Sequence, residues 1–110
     1  MMDRDRSILD RLSNSKSLWE RRTSIVSTHW FIRKGDFGDT LRVARRLLGD
    51  GHDLIHKATG WMLREVGKKD LVTLDGFLEK HYGAMPRTML RYAIERHPAG
   101  RRKAYMTGEV

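Results

Sequence analysis

The chain contains no cysteine and only two prolines among its 110 residues. The absence of cysteine excludes disulfide bonds and thiolate chemistry, and nothing in the sequence indicates secretion. No apolar run approaches the roughly 20 residues of a membrane-spanning helix, so no membrane partner is expected. The charged N-terminus, MMDRDRSILD, does not have the pattern of a signal peptide. These absences predict a soluble protein of the cytoplasm.

Acidic residues are few relative to basic ones. Lys and Arg number 22 against 14 Asp and Glu, which gives a net charge of +8 and an isoelectric point near 10.3. This surplus favours an anionic partner, with nucleic acid first and an acidic membrane or protein surface second. The length and the apolar content of 39% predict one domain, or part of one, with a modest core.

Apolar residues recur at helical spacing along the chain, and no segment alternates with the period of a β-strand. The predicted helices cover residues 3–12, 17–35, 39–48 and 53–67, a segment that begins at residue 70, and a last one that begins at Pro86 and ends before Pro98. Ser17 and Glu20 have the spacing of a capping box, and Asp53 is predicted to cap the fourth helix. Apolar residues that are predicted to face the core include Ile8, Leu9, Leu12, Val26, Trp30, Leu54, Ile55, Ala58, Met62, Val66, Leu71, Leu74, Phe77, Leu78, Met89, Leu90, Ala93 and Ile94. The fold class is all-α.

A repeat underlies this pattern. The second, fourth and sixth predicted helices begin near residues 17, 53 and 86, and a period in the thirties is typical of stacked helix pairs. We therefore expect an α-solenoid of antiparallel helix pairs with about six to seven helices. Alternate helices of such a stack share one concave side. Cations lie in the early turns of all three repeating helices: Arg21, Arg22, Lys57, Arg87 and Arg91.

The fourth predicted helix combines cations with a tryptophan. Lys57, Trp61, Arg64 and Lys68 follow one edge of it at spacing i, i+4, i+7, i+11. Cations that flank a flat ring suit a phosphate backbone, with the ring pressed against a sugar or a base. The alternative is that Trp61 covers the core while the cations are merely solvated. Three basic helices at repeat spacing favour nucleic acid.

Three stretches, LWERRTSIVSTHWFIRKGDF, DLIHKATGWMLREVGKKD and MPRTMLRYAIERHP, resemble the C-terminal half of the AlkD-type DNA alkylation repair glycosylases. The resemblance covers about residues 3 to 105 and implies a solenoid of HEAT-like repeats whose concave face grips double-stranded DNA. It also implies hydrolytic excision of N3- and N7-alkylated purines, without a need to flip the lesion into a pocket. A protein of this kind is expected to associate with the nucleoid when it is bound to DNA.

The resemblance also assigns roles to two residues. By motif position, Arg22 in ERRTSI matches the arginine of the family's site and Trp61 in GWMLRE matches its second tryptophan. The family's first tryptophan and its catalytic aspartate lie on an earlier helix, in a W-D-x-x-D-like stretch that has no counterpart here. Glu65 follows Trp61 by one helical turn, but it is expected to pair with an arginine of a neighbouring helix. No catalytic residue is therefore assigned.

The chain is accordingly predicted to be a single partial HEAT-like repeat domain, residues 1–110, that lacks the family's N-terminal repeats. Its predicted function is DNA alkylation repair, with glycosylase activity when the missing half supplies the aspartate. A separate N-terminal half chain, or self-association, is expected to cover the open end of the stack. The predicted DNA-binding residues are Arg22, Lys57, Trp61, Arg64, Lys68, Arg87 and Arg91. The alternative is a non-catalytic helical-repeat module whose basic groove holds nucleic acid or an acidic protein.

Neither a cofactor nor a metal site is expected. His52 and His56 have the i, i+4 spacing of zinc ligands, but a cap at Asp53 would place His52 off the face of the helix. At the end of the chain, Arg101, Arg102 and Lys103 either extend the basic surface or keep a frayed tail soluble.

Overall fold

The computed structural model describes residues 6–108, and every regular element in this range is helical. A short 3₁₀ turn, Tyr82–Ala84, separates the sixth α-helix from the seventh. The predicted all-α fold is confirmed. In chain order the α-helices are α1 (Ser7–Ser13), α2 (Leu18–Val26), α3 (His29–Arg33), α4 (Gly38–Leu47), α5 (Asp53–Lys69), α6 (Leu71–His81), α7 (Arg87–Ala93) and α8 (Ala99–Thr107).

The longest helix, α5, lies at the centre of the stack and packs against α2, α3, α4, α6 and α7. α1 packs against α2 and α4, and α8 packs against α7. The three helices of the predicted repeat are α2, α5 and α7, and α5 contacts both of the others. The predicted helical-repeat solenoid is thus confirmed. No helix in residues 6–108 is long and apolar enough to cross a membrane.

The core face of α5 follows the helical period. Ile55, Ala58, Met62 and Val66 are all buried, as their spacing predicts. Leu54 was predicted to share this face, and that prediction is wrong, because it lies in the first turn of α5 and lines an open cleft. Other helices pack against α5 on several sides, so more of its surface is buried than the apolar spacing predicts. The additional buried residues include Thr59, Gly60 and Leu63.

The predicted second helix does not continue to Gly35. α2 ends at Val26 and α3 begins at His29, and hydroxyl groups of the two residues between them bond to backbone carbonyls. Thr28 Oγ1 donates to the carbonyl of Ile25 at 2.6 Å, and Ser27 Oγ donates to that of Ser24 at 3.3 Å. Such bonds compete with the helical ladder and favour a bend or an end. The redirected α3 leaves Trp30 52% exposed, with Lys34 Nζ 4.6 Å from its ring centre, so the prediction of a buried Trp30 is wrong.

The helix caps agree in part with those predicted from the sequence. Ser17 Oγ accepts from the backbone NH of Glu20 at 3.4 Å, as a capping box requires. The Glu20 carboxylate accepts instead from Ser15 Oγ, so the reciprocal bond of the box is missing. His52, not Asp53, caps α5, since its Nδ1 accepts from the backbone NH of Leu54 at 3.2 Å.

Two apolar residues and the end of the chain also depart from prediction. Ile8 and Leu71 are exposed, whereas Leu9 is buried. Residues 3–5 of the first predicted helix lie outside the described range. The segment with Arg101, Arg102 and Lys103 is not frayed but forms α8, which is anchored by the buried ring of Tyr105. Tyr105 donates a hydrogen bond to Asp75 Oδ1 of α6 at 3.1 Å, which fastens α8 to that helix.

Candidate nucleic-acid interface

A cleft of about 310 Å³ opens among α2, α5 and α7. We call it the tryptophan cleft. Arg22 of α2 and Trp61 of α5 both line it, so two residues that are distant in sequence share one surface. The complete lining is Arg22, Leu54, Lys57, Ala58, Trp61, Arg64 and Tyr92.

Two aromatic rings contribute to the tryptophan cleft. Trp61 and Tyr92 are each 37% exposed, so both rings remain accessible from solvent while their inner edges rest on the protein. The imidazole of His29 lies beside the indole of Trp61, with ring centres 6.3 Å apart. Tyr92 is not among the predicted binding residues, since nothing in the pattern of its own helix separates it from any other half-exposed tyrosine. Its place depends on how α7 meets α5.

Gly60 determines how closely α7 approaches α5. A β-carbon on Gly60 would lie 2.5 Å from the carbonyl oxygen of Met89 and 2.6 Å from Cβ of Tyr92. Non-bonded contacts of a β-carbon are essentially never this short, so glycine permits α7 to lie this close to α5. Because Gly60 precedes Trp61 directly, the same close approach brings Tyr92 to the cleft that Trp61 lines.

The three cations of the tryptophan cleft differ in their partners. Arg22 has no hydrogen-bond or ion-pair partner among residues 6–108, so its guanidinium is available to a ligand. Lys57 pairs with Asp53 at 3.2 Å, and Arg64 pairs with Glu95, which lies in the turn after α7. Exposed pairs of this kind contribute roughly 0–1 kcal/mol, so an anionic ligand can displace the carboxylates at small cost.

The other predicted DNA-binding residues do not line the tryptophan cleft. Lys68 borders a neighbouring hollow with Arg96 and pairs with Glu65 at 3.5 Å. Arg87 donates to the carbonyl of Met106 at 3.4 Å, toward α8. Arg91 is exposed on α7 outside the lining. These residues are part of the basic surface around the cleft.

Glu65 has different partners from those predicted. Its partner on a neighbouring helix is His29 of α3, with 3.7 Å between Nε2 and Oε1, and not an arginine. Arg64 and Lys68 of its own helix also lie within 3.7 Å of its carboxylate. The side chain is 15% exposed and does not line the tryptophan cleft.

The two candidate zinc ligands have separate roles. His52 caps α5, and His56 Nε2 lies 2.5 Å from the carbonyl oxygen of Asp50. Within residues 6–108, no three His, Asp or Glu side chains are grouped in a way that could hold a metal ion.

A stack of paired helices with a basic, aromatic-lined cleft defines a helical-repeat protein that is suited to an anionic ligand. The sequence model of the DNA alkylation repair enzyme family matches residues 1–97. The chain belongs to this family, and its function therefore lies in the repair of alkylated DNA. The matched residues end before α8. No curated protein and no solved structure matches the chain.

Proposed function

We propose that the tryptophan cleft binds double-stranded DNA at an alkylated purine nucleotide, and that the chain takes part in the hydrolytic excision of N3- and N7-alkylated purines. One observation carries the proposal: Arg22 and Trp61, which match the site arginine and the second tryptophan of AlkD-type glycosylases, line the same cleft. Membership of the DNA alkylation repair enzyme family supports it independently.

Each lining residue has a role that follows from its chemistry. The unpaired guanidinium of Arg22 presents a planar fork that matches a phosphate. The exposed faces of Trp61 and Tyr92 offer flat apolar surfaces to a deoxyribose or a distorted base. Lys57 and Arg64 then hold the flanking phosphates, which replace Asp53 and Glu95. Together these groups would hold a distorted nucleotide by its backbone and leave its base accessible to water.

Excision also needs an anion near the sugar. Loss of the purine leaves an oxocarbenium-like sugar, which a nearby carboxylate stabilises while it orients the attacking water. No carboxylate lines the tryptophan cleft in residues 6–108, and the nearby Glu65 and Glu95 are both engaged with cations. We therefore place the catalytic carboxylate on a segment or chain that lies against the cleft when DNA is bound.

The lack of a carboxylate in the described lining of the tryptophan cleft also favours one other function. Without a carboxylate in its lining, the tryptophan cleft can bind DNA or another acidic ligand and catalyse nothing. The chain would then be a non-catalytic binding module.

Two measurements separate the two functions. The first is the affinity for an abasic-site duplex against an intact duplex, and the second is the release of base from a duplex that contains N7-methylguanine. Preferential binding together with base release supports the glycosylase. Preferential binding with release at the background rate means that the chain recognises the lesion and does not itself supply the catalytic carboxylate. Equal binding of both duplexes rejects recognition of the lesion and leaves the non-catalytic module.

A further inference from the structure

A second cleft lies between α4 and α6 and shares no residue with the tryptophan cleft. We call it the α4–α6 cleft. Its volume is about 480 Å³, within the range of sites that enclose small ligands. Leu41 and Phe77 supply its apolar lining, and Phe77 is almost fully buried. Because it lies apart from the proposed DNA site, the α4–α6 cleft is open to a different ligand.

The charged groups of the α4–α6 cleft are all basic. Arg42, Arg45, Lys80 and His81 line it, and no carboxylate does. Asp10 and Asp39 hold Arg42 at 2.9 Å and 2.6 Å. Arg45 and Lys80 are exposed, and neither has a hydrogen-bond or ion-pair partner in residues 6–108. Two available cations beside an apolar surface attract a ligand that is acidic and also carries an apolar group.

Gly76 borders open space in the α4–α6 cleft. It lies inside α6, where glycine weakens a helix relative to alanine. Gly60 and Gly67 of α5 are required by close approaches, to Met89 and to Leu74 respectively. No atom lies within 4 Å of the position that a β-carbon on Gly76 would take, and Gly76 lines the α4–α6 cleft. A larger side chain at position 76 would therefore enter the open space of the α4–α6 cleft without meeting the rest of the chain.

We propose that the α4–α6 cleft binds an acidic peptide segment of a partner protein. One apolar side chain of the peptide rests on Leu41 and Phe77, and carboxylates on either side of it face Arg45 and Lys80. Phe77 is almost fully buried and so presents no open ring face on which a base could stack, unlike Trp61 and Tyr92, and this favours a peptide over nucleic acid. Basic clusters of this kind recognise acidic motifs in other peptide-binding proteins.

The test uses a fluorescein-labelled peptide of glutamates and aspartates with one central phenylalanine, and fluorescence anisotropy with the full chain. We expect saturable binding that weakens at least about tenfold in the double variant Arg45→Glu/Lys80→Glu. The matched control, Arg33→Glu/Lys103→Glu, changes the net charge equally at exposed positions outside the cleft. It should retain binding within about twofold to threefold. Replacement of the phenylalanine by serine in the peptide should also weaken binding.

A second variant fills the cleft and leaves the charges in place. Gly76→Leu adds a side chain where the structure has open space, and leucine favours a helix, so the fold should be retained as judged by circular dichroism. We expect the peptide to lose affinity for this variant. Absent peptide binding, equal weakening in the matched control, or a folded Gly76→Leu that binds like the parent chain would overturn the proposal. So would a labelled DNA duplex that loses affinity for Arg45→Glu/Lys80→Glu and not for the control, since the cleft would then bind nucleic acid.

Discussion

Arg64 of α5 and Glu95, in the turn after α7, form an ion pair at the edge of the tryptophan cleft. The carboxylate occupies a guanidinium that would otherwise face a phosphate. Because Glu95 is mostly exposed, the pair contributes at most about 1 kcal/mol to stability. Under the proposed function, Glu95 would compete with DNA for Arg64 while it adds little to the fold.

Glu95→Gln should raise the affinity for duplex DNA and leave the free energy of unfolding within about 1 kcal/mol of the parent chain. Release of Arg64 adds one phosphate contact, so the slope of log K against log salt should steepen by about one. Anisotropy titrations of a labelled duplex at several salt concentrations measure both effects. Glu79→Gln is the matched control, because it removes an equal charge from an exposed position outside the tryptophan cleft. An equal gain in both variants would show that only net charge matters.

Duplex binding by the parent chain should depend steeply on salt and little on sequence. Four to six phosphate contacts predict a log–log slope of about −4 to −5, at about −0.9 per contact. The cleft presents cations and flat rings, and few groups that are shaped for base edges. Titrations with duplexes of different sequence over a range of salt test this, and an affinity that does not change with salt would contradict it.

Gly60→Ala should destabilise the fold by about 1–3 kcal/mol, because the new methyl group collides with the Met89 carbonyl and with Tyr92. The same substitution at Gly76 meets no atom within 4 Å and should stabilise α6 by up to about 1 kcal/mol. Urea unfolding of both variants gives the two differences. If the variants change stability equally, the close approach of α5 and α7 is not as described.

Tyr105 should make stability depend on pH in the alkaline range. Burial, as the largest cause, raises the pKa of Tyr105 above its usual value, the hydrogen bond to Asp75 acts in the same direction, and the bond from Arg101 opposes both. Above about pH 10 the unfolded chain loses this proton before the folded chain does. The contribution to stability is therefore complete below pH 10 and is lost as pH rises through the folded-state pKa.

Tyr105→Phe isolates this effect. The variant should lose about 1 kcal/mol at neutral pH, since the hydrogen bond to Asp75 is removed. The difference in unfolding free energy between the parent and the variant should shrink as the pH rises above about 10. Urea unfolding of both proteins across this range measures it, and a constant difference would contradict the assignment.

Helical periodicity predicted most of the fold because it reports burial directly. Every residue predicted to lie on the inner face of α7 is buried, and so are Leu74, Phe77 and Leu78 of α6. The failures have causes that periodicity does not contain. α2 ends where Ser27 and Thr28 form hydroxyl-to-carbonyl bonds, and α8 is held to α6 by the bond from Tyr105 to Asp75, which is 30 residues away in the sequence.

The candidate site could be predicted only in part, from the motif resemblance and from helical spacing. The resemblance singled out Arg22 and Trp61, and helical spacing added Lys57 and Arg64. Tyr92 was not predictable, because its place in the cleft follows from the close passage of α7 over Gly60, which is a property of two packed helices.

The most direct test compares the binding of an abasic-site duplex and an intact duplex by Arg22→Ala and Trp61→Ala. Matched controls are Arg33→Ala and Trp30→Ala, which remove an exposed arginine and an exposed tryptophan outside the tryptophan cleft. Both cleft variants should lower the preference for the abasic duplex, each by roughly 1–3 kcal/mol, because they remove the phosphate grip and the ring that hold a distorted nucleotide. The controls should retain the preference. If Trp61→Ala remains folded and weakens both duplexes equally, the tryptophan cleft does not recognise the lesion and the account is contradicted.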